Sequence, residues 1–353
     1  MFKLIRQGSG PILTPDSDLP WEKEGVFNPG VVKVGTEVYM LYRAVGERES
    51  YVSRLGLAKS HDGLNFERVA RDPIFEPREI FDQWATEDPR ITKIGDDFYV
   101  TYVAVAKRIM RDGSFVKRFL PLETSTALLK TKDFLSYENL GIISSPNSDN
   151  KDIVLFPRRI NGRYYMLHRP NHWSREWFKG PYEKYVNEGL PCDVQDLPEI
   201  PGIWVASSVD LRNWTDHHLL ISSSHSSDAK IGPGVPPIET EAGWLIIYHH
   251  VKKEEGTDRL IYSVRAALLD LADPTRFLAR LPDDILAAEM PYETENKTRI
   301  VFPTGGFVTG DTLSVYYGAS DRYVCLATGS LSALLAELKQ TQQTPDAKRN
   351  QAL

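Results

Sequence analysis

Cysteine is nearly absent from the 353-residue chain: Cys192 and Cys325 are the only two, too few for a disulfide framework. A reducing compartment fits that usage. No apolar run approaches the roughly 18 residues of a membrane span, and residues 1–8 carry no apolar stretch of signal-peptide length. Positive charge is also in short supply. The 42 Lys and Arg residues stand against 48 Asp and Glu, a net charge of −6, which argues against the basic face of a general nucleic-acid binder. The sequence therefore predicts a cytoplasmic protein that binds neither membrane nor nucleic acid. No Gly-rich motif opens a helix in the manner of a nucleotide site. The adjacent pairs His217-His218 and His249-His250 face opposite sides of a strand, so no metal and no organic cofactor is expected.

What the chain has is repetition. Five aromatic-rich runs recur: VYMLYRAV at 38–45, FYVTYVAV at 98–105, YYMLHRPN at 164–171, WLIIYHHV at 244–251 and LSVYYGAS at 313–320. Their β-branched and aromatic residues suit a pleated, buried surface. Before each run stands a turn glycine, at Gly35, Gly95, Gly162, Gly243 and Gly310. A short strand precedes each glycine and is expected to open just after Pro29, Pro89, Pro157, Pro237 or Pro303, where proline costs no ladder hydrogen bond. A third strand follows every run. In the first three units a closing phrase comes next: SHDGLNFERV from Ser60, TKDFLSYENL from Thr131 and SVDLRNWTDH from Ser208. The fifth unit ends instead in an apolar stretch, 330–338, that reads as a helix. Four short strands in each of five units predict an all-β protein, a five-bladed β-propeller. A two-sheet sandwich has no reason to repeat this phrase five times. Residues 1–339 form one domain on this reading, and the polar tail 340–353 is expected to be disordered.

Aligning the units exposes the positions that break the pattern. The sixth residue of the second strand is Arg43, Val103, Arg169, His249 and Gly318 in turn. Pseudo-symmetry predicts that Arg43, Arg169 and His249 converge near the axis, a costly arrangement unless they meet an anion or carboxylates. The residue before the opening proline is Asn28, then Asp88, with Phe156 and Phe302 in units three and five. Asn28 and Asp88 should line the same funnel. An isolated Asp-Pro is ordinarily a turn, but this place in the repeat favours a site carboxyl that burial and neighbours tune towards general-acid work. Lys151 and Lys230 stand just upstream of a first strand, and Asp321 completes the ring. One acid among cations suits a site where phosphate is the nucleophile, because arginine binds it in bidentate fashion and lysine adds a point charge.

These phrases resemble glycoside hydrolase family 130, which acts on β-mannosides. The matching stretches are VFNPG around Asn28, LYRA around Arg43, TEDPR around Asp88, NKDIVLFP from Asn150, LHRP around Arg169, KIGPG from Lys230, IYHH around His249 and YYGASD ending at Asp321. The resemblance implies a five-bladed propeller and an inverting phosphorylase that releases α-mannose 1-phosphate from a β-1,2- or β-1,4-linked mannoside or a mannosyl-glucose. Asp88 then matches the acid, which in the family works through a sugar hydroxyl. Asn28, Arg43 and Asp321 match residues that hold the mannosyl unit. Arg169, Lys230 and His249 match phosphate ligands, and Lys151 stands where some members have arginine.

Two rivals remain at this level. A β-mannosidase of the same fold needs a second carboxylate to activate water, with Glu87, Glu123, Asp152 and Asp228 as candidates. A non-catalytic carbohydrate-binding propeller would stack sugars on Trp173, Trp177, Tyr182 and Tyr185. Linkage, acceptor sugar and any homo-oligomer are left open.

Overall fold

The structure of the protein, a computed structural model, describes residues 1–79, 81–105, 124–144, 149–172, 200–223, 227–295 and 297–342. Cys192, Glu123, the aromatic candidates Trp173, Trp177, Tyr182 and Tyr185, and the tail beyond residue 342 lie outside the described residues. Five antiparallel sheets form the blades of a ring. Blade one runs outward from β2 (Gly25–Val34) through β3 (Glu37–Val45) and β4 (Ser53–Ser60) to β5 (Glu67–Arg68). Blade two comprises β6 (Ala85–Ile94), β7 (Asp97–Val105), β8 (Thr124–Thr131) and β9 (Glu138–Ile142). Blade three comprises β10 (Asp149–Leu155), β11 (Tyr164–His172), β12 (Ile203–Ser208) and β13 (Trp214–Ile221). Blade four is built on β14 (Asp228–Pro233), β16 (Gly243–Lys253), β17 (Leu260–Leu269) and β18 (Phe277–Arg280). To these it adds β15 (Ile238–Thr240) and β19 (Leu286–Ala287).

Blade five has only three strands of its own, β20 (Val301–Thr309), β21 (Thr312–Ala319) and β22 (Tyr323–Ser330). The fourth comes from the other end of the chain: β1 (Ile5–Arg6) pairs with β22. This closure satisfies an edge that would otherwise lie open. Arg6 reinforces it by gripping Glu293 through Nε and Nη2, each 2.8 Å from a carboxylate oxygen. The expected helix is present as α1 but spans Leu331–Gln342, four residues past the apolar stretch that announced it. Its Leu334, Leu335 and Leu338 are buried against blades four and five.

The near-continuous apolar runs follow from burial on both faces of a blade. Successive strand residues point to opposite sides. Met40 and Tyr42 therefore pack towards blade five, among Tyr316, Val324 and Leu326, while Leu41 packs towards blade two with Val100 and Tyr102. The same alternation fills the other three gaps, such as Met166 against Leu128 and Leu167 against Trp244. Buried acids pin the fifth residue of the repeated strand in three blades. The hydroxyls of Tyr42, Tyr102 and Tyr317 each donate at 2.8 Å to Glu22, Asp82 and Glu293. Two of these acids lie three residues ahead of an inner strand, so the latch fixes where the chain turns in towards the axis.

The prolines do not sit where the repeat suggested. β2, β6 and β20 begin at Gly25, Ala85 and Val301, ahead of Pro29, Pro89 and Pro303. Pro29 and Pro89 fall inside their strands at a register shift, where the ladder is interrupted and the missing N–H costs nothing, and Pro303 stands opposite Tyr317 just before one. Pro157 instead follows β10, and Pro237 precedes the short β15. Lys151 and Lys230 likewise lie within β10 and β14, not upstream of them.

Candidate active site

Three inner strands carry a bulge whose extra residue has left-handed backbone: Asn28 (φ 48°), Asp88 (φ 52°) and Asp152 (φ 61°). The ladders prove these equivalent. Phe27, Glu87 and Lys151 lie opposite Arg43, Val103 and Arg169, and in each blade the bulge residue comes next. Counting from the proline had matched Asp88 with Phe156; the correct partner in blade three is Asp152. Asn and Asp tolerate this conformation better than most residues. The bulge re-aims their side chains.

One half of the site is organised around Asp88. The buried carboxylate accepts on Oδ1 from Asn28 Nδ2 at 2.8 Å and from Arg43 Nη1 at 3.0 Å. No described residue donates to its Oδ2, which leaves that oxygen for a ligand. Arg43 spends its other nitrogens on Glu87 Oε1 (2.8 Å) and Ser53 Oγ (2.9 Å), over the ring of Phe27. Burial works to lower the Arg43 pKa, but Glu87, Asp88 and, further off, Asp321 outweigh it and hold the guanidinium charged. Asp321 occupies the hairpin turn between β21 and β22, with φ 52°. It acts on Arg43 and on Tyr262, whose phenol is pushed up to about 12 by burial and by Asp321. The expected upward tuning of Asp88 is corrected. Burial pushes its carboxyl up, yet Arg43, Arg90 and the hydrogen bonds from Asn28 and Arg43 bring it below the ordinary aspartate value.

The other half is organised around Asp152. Its Oδ1 accepts from Arg90 Nη2 at 2.9 Å, and its Oδ2 accepts from Arg169 Nε at 2.8 Å. His249 Nε2 lies 3.7 Å from the same Oδ2. Burial works to raise the Asp152 pKa, but Arg169 and Arg90 hold it far below the usual range. Lys151 stands across the ladder from Arg169. Lys230 Nζ hangs 5.2 Å from the centre of the Tyr262 ring, close enough to act on His249. His249 is fully buried, and both ring nitrogens lack a hydrogen-bond partner among the described residues. Burial drives its pKa well below 6.5, so it is a neutral donor or acceptor here and not the cation expected from its slot. Gly232 makes this packing feasible. A Cβ there would stand 2.5 Å from His249 Cε1 and 2.6 Å from Arg169 Nε. The glycines of this segment thus serve close approach.

Arg90 joins the halves. From β6 it reaches Asp152, donates at 3.0 Å to the Gly234 carbonyl and at 3.2 Å to the Asp88 carbonyl. The structure therefore gathers Asn28, Arg43, Asp88 and Asp321 in one half and Lys151, Arg169, Lys230 and His249 in the other. Arg90 and the anchoring role of Asp152 escaped the sequence reading. Aligning the blades on the second strand instead of the proline would have placed Asp152 beside Asp88. Each described candidate for a water-activating carboxylate is already engaged by neighbouring side chains. Glu87 is tied to Arg43, Asp152 to two arginines, and Asp228 to His250 Nε2 and Ser223 Oγ at 2.7 and 2.6 Å.

The buried histidines set an acid limit on the fold. Burial lowers His168 and His249 well below 6.5, and His217 and His250 also lie below it. A depressed histidine gives stability that is fully present above the unfolded value and lost as pH falls through about 6.5. Thermal unfolding should therefore show a melting temperature that falls steadily from pH 6.5 to 5. A flat profile over that range would contradict neutral burial.

Known proteins carry the same architecture. Residues 11–340 match a family profile described as beta-1,4-mannooligosaccharide phosphorylase. A 1,2-beta-oligomannan phosphorylase of Thermoanaerobacter sp. (strain X514) is 32% identical over 335 residues, 93% of this chain and 97% of the relative. A beta-1,2-mannobiose phosphorylase of Listeria innocua serovar 6a is 35% identical over 291 residues, 82% of this chain and 69% of the relative. The solved structure of beta-1,2-mannobiose phosphorylase from Listeria innocua with beta-1,2-mannobiose superposes with a TM-score of 0.73 at 29% identity. It covers 96% of this chain and 99% of that one. On this match across nearly its whole length, the chain belongs to glycoside hydrolase family 130.

Proposed function

We propose that the protein is an inverting β-mannoside phosphorylase, releasing α-mannose 1-phosphate, and that β-1,2-linked mannosides are its substrates. The observation that carries the reaction type is the partition of charge across the site. Around Asp152 one carboxylate faces Arg90, Arg169, Lys230 and Lys151, a surplus suited to a phosphate dianion. Around Asp88 the balance reverses, with Arg43 facing Glu87, Asp88 and Asp321. That half suits a neutral polyol and the positive charge that develops on the sugar ring. Three relatives of 32–35% identity are named for β-1,2 linkages, against 24–26% for those named for β-1,4 linkages, which supports the linkage assignment.

In the proposed reaction a phosphate oxygen forms a bond to the anomeric carbon as the glycosidic C–O bond breaks. The departing oxygen takes a proton that Asp88 supplies, directly or through a sugar hydroxyl. Phosphate loses the proton it carried, so the acid can be reset. Asp88 is ionised in the free enzyme, and a dianion arriving next to Arg90 and Arg169 offsets the charges that keep it so. Phosphate binding thus prepares its own acid.

The test is direct. Incubation with β-1,2-mannobiose and with β-1,4-mannobiose, each with and without phosphate, should yield mannose 1-phosphate from the β-1,2 substrate only when phosphate is present. Free mannose at equal rates in both tubes would overturn phosphorolysis, and a preference for the β-1,4 substrate would overturn the linkage.

A further inference from the structure

We infer that Gly318, the one glycine in the sixth-residue slot of the repeated strands, is a positioning residue for the acid, because its missing side chain lets the Asn28 amide reach Asp88. The slot holds Arg43, Val103, Arg169 and His249 in the other blades. In blade five it lies against the bulge of β2, across the gap between the last blade and the first. A Cβ at Gly318 would overlap Asn28 Oδ1 and come within 2.9 Å of its backbone nitrogen and 3.1 Å of its Cγ. Asn28 has no room to retreat. Its backbone is fixed at φ 48° in the bulge, Pro29 follows it, and the Val26 N–H is bonded to the Arg322 carbonyl at 3.0 Å.

The orientation of the amide is also fixed. Asn28 is buried, its Nδ2 donates to Asp88 Oδ1 at 2.8 Å, and its Oδ1 has no hydrogen-bond partner among the described residues. Flipping the amide would set an oxygen against a carboxylate. The amide is therefore held by the acid on one side and by the bare backbone of Gly318 on the other. A methyl group at 318 presses on the oxygen and withdraws the donor. Asp88 then loses one of the two hydrogen bonds on its Oδ1 and is held there by Arg43 alone, in a less defined orientation. The charged groups around it stay in place: Arg43 and Glu87 from blade one and two, Arg90 from its own strand, and Asp321 and Asp152 beyond them.

This inference rests on the phosphorylase reading for its kinetic test. Gly318→Ala should lower kcat on the order of 10²-fold, the usual cost of a misplaced catalytic group, and leave the KM for phosphate within about twofold. It should also move the high-pH limb of the rate profile upward, because the hydrogen bond from Asn28 helps hold the Asp88 proton off. In an Asn28→Ala background the same substitution should cost no more than about twofold further, as expected for two residues acting through one contact. Equal fractional losses in both backgrounds, or an unmoved limb, would overturn it. If Gly318→Ala fails to fold, recovery of the fold in the Asn28→Ala double variant supports the contact, and failure of both counts against it. A readout without turnover separates this idea from the function: 13C titration of aspartate-labelled protein, with Asp88 assigned through Asp88→Asn. A wild-type protein without phosphorolysis sinks the proposed function, whereas an Asp88 titration unchanged by Gly318→Ala sinks the role of Gly318.

Discussion

Asp88→Asn should lower kcat by about 10²–10⁴-fold, the range ordinarily supplied by a positioned general acid, while the KM for phosphate does not rise. The two effects separate because the acid and the cations belong to different blades. Asp88 and Arg43 lie on blades two and one, whereas Arg169, Lys230 and His249 lie on blades three and four. The substitution preserves shape and keeps an oxygen for Arg43, which also retains Glu87 at 2.8 Å. The fold should therefore survive, and circular dichroism and thermal unfolding of the variant check this. Steady-state kinetics with phosphate varied at saturating mannoside supply the numbers. A loss below about tenfold would take the acid role away from Asp88, and a comparable rise in the phosphate KM would place Asp88 among the groups that hold phosphate. Intact sugar binding in a wild-type protein with no turnover at all would instead favour a carbohydrate-binding propeller.

The fold was legible because the signal was redundant. Five runs such as VYMLYRAV and WLIIYHHV lie between two buried faces, so each strand announces itself without the weaker alternation of a half-exposed sheet. The closure by Ile5 and Arg6 was not legible, since two residues carry no periodicity. The slot of Arg43, Arg169 and His249 was read correctly because a regular ladder preserves residue counting. The inner strands were misread where counting fails. A bulge inserts one residue, and the prolines used as markers fall within or after the inner strand depending on the blade. That slip left Asp152 as a spare carboxylate instead of the counterpart of Asp88. The charge state of His249 was hidden for another reason. Desolvation depends on how completely neighbouring strands cover a ring, and Gly232, far off in sequence terms, supplies that cover. Arg90 was visible only as a neighbour of Asp88, because its reach to Asp152 and to the Gly234 carbonyl crosses two blade boundaries.

Asp152→Asn should destabilise the protein strongly in phosphate-free buffer, and phosphate should restore more of the loss than it adds to the wild type. Asp152 is the carboxylate between Arg90 and Arg169, all three side chains being buried. Removing the charge of one partner in a buried ion pair costs about 3–5 kcal/mol, because the remaining charges lose their compensation in a medium that solvates them poorly. The amide keeps the size of the side chain but turns its NH2 towards one of the two arginines, so the loss combines the missing charge with a missing hydrogen bond. For a domain of this size the melting temperature should fall on the order of 5–10 °C. A phosphate dianion seated against Arg169 and Lys230 returns negative charge to the same cluster, and at about 100 times its Kd it adds roughly 2.7 kcal/mol of stability by mass action. Binding should be tighter in the variant than in the wild type, since the ligand no longer competes with Asp152 for the guanidinium of Arg169. Thermal unfolding across a phosphate series, with sodium chloride at matched ionic strength as the control for screening, measures the gap between the two proteins. The gap should narrow with phosphate and not with chloride. A gap that stays constant would mean that phosphate binds away from Arg169, and a gap that closes equally with chloride would mean that the cluster responds to any anion. Catalysis should not recover with stability, because the phosphate that now stands in for Asp152 is held as a counterion and no longer presented to the anomeric carbon.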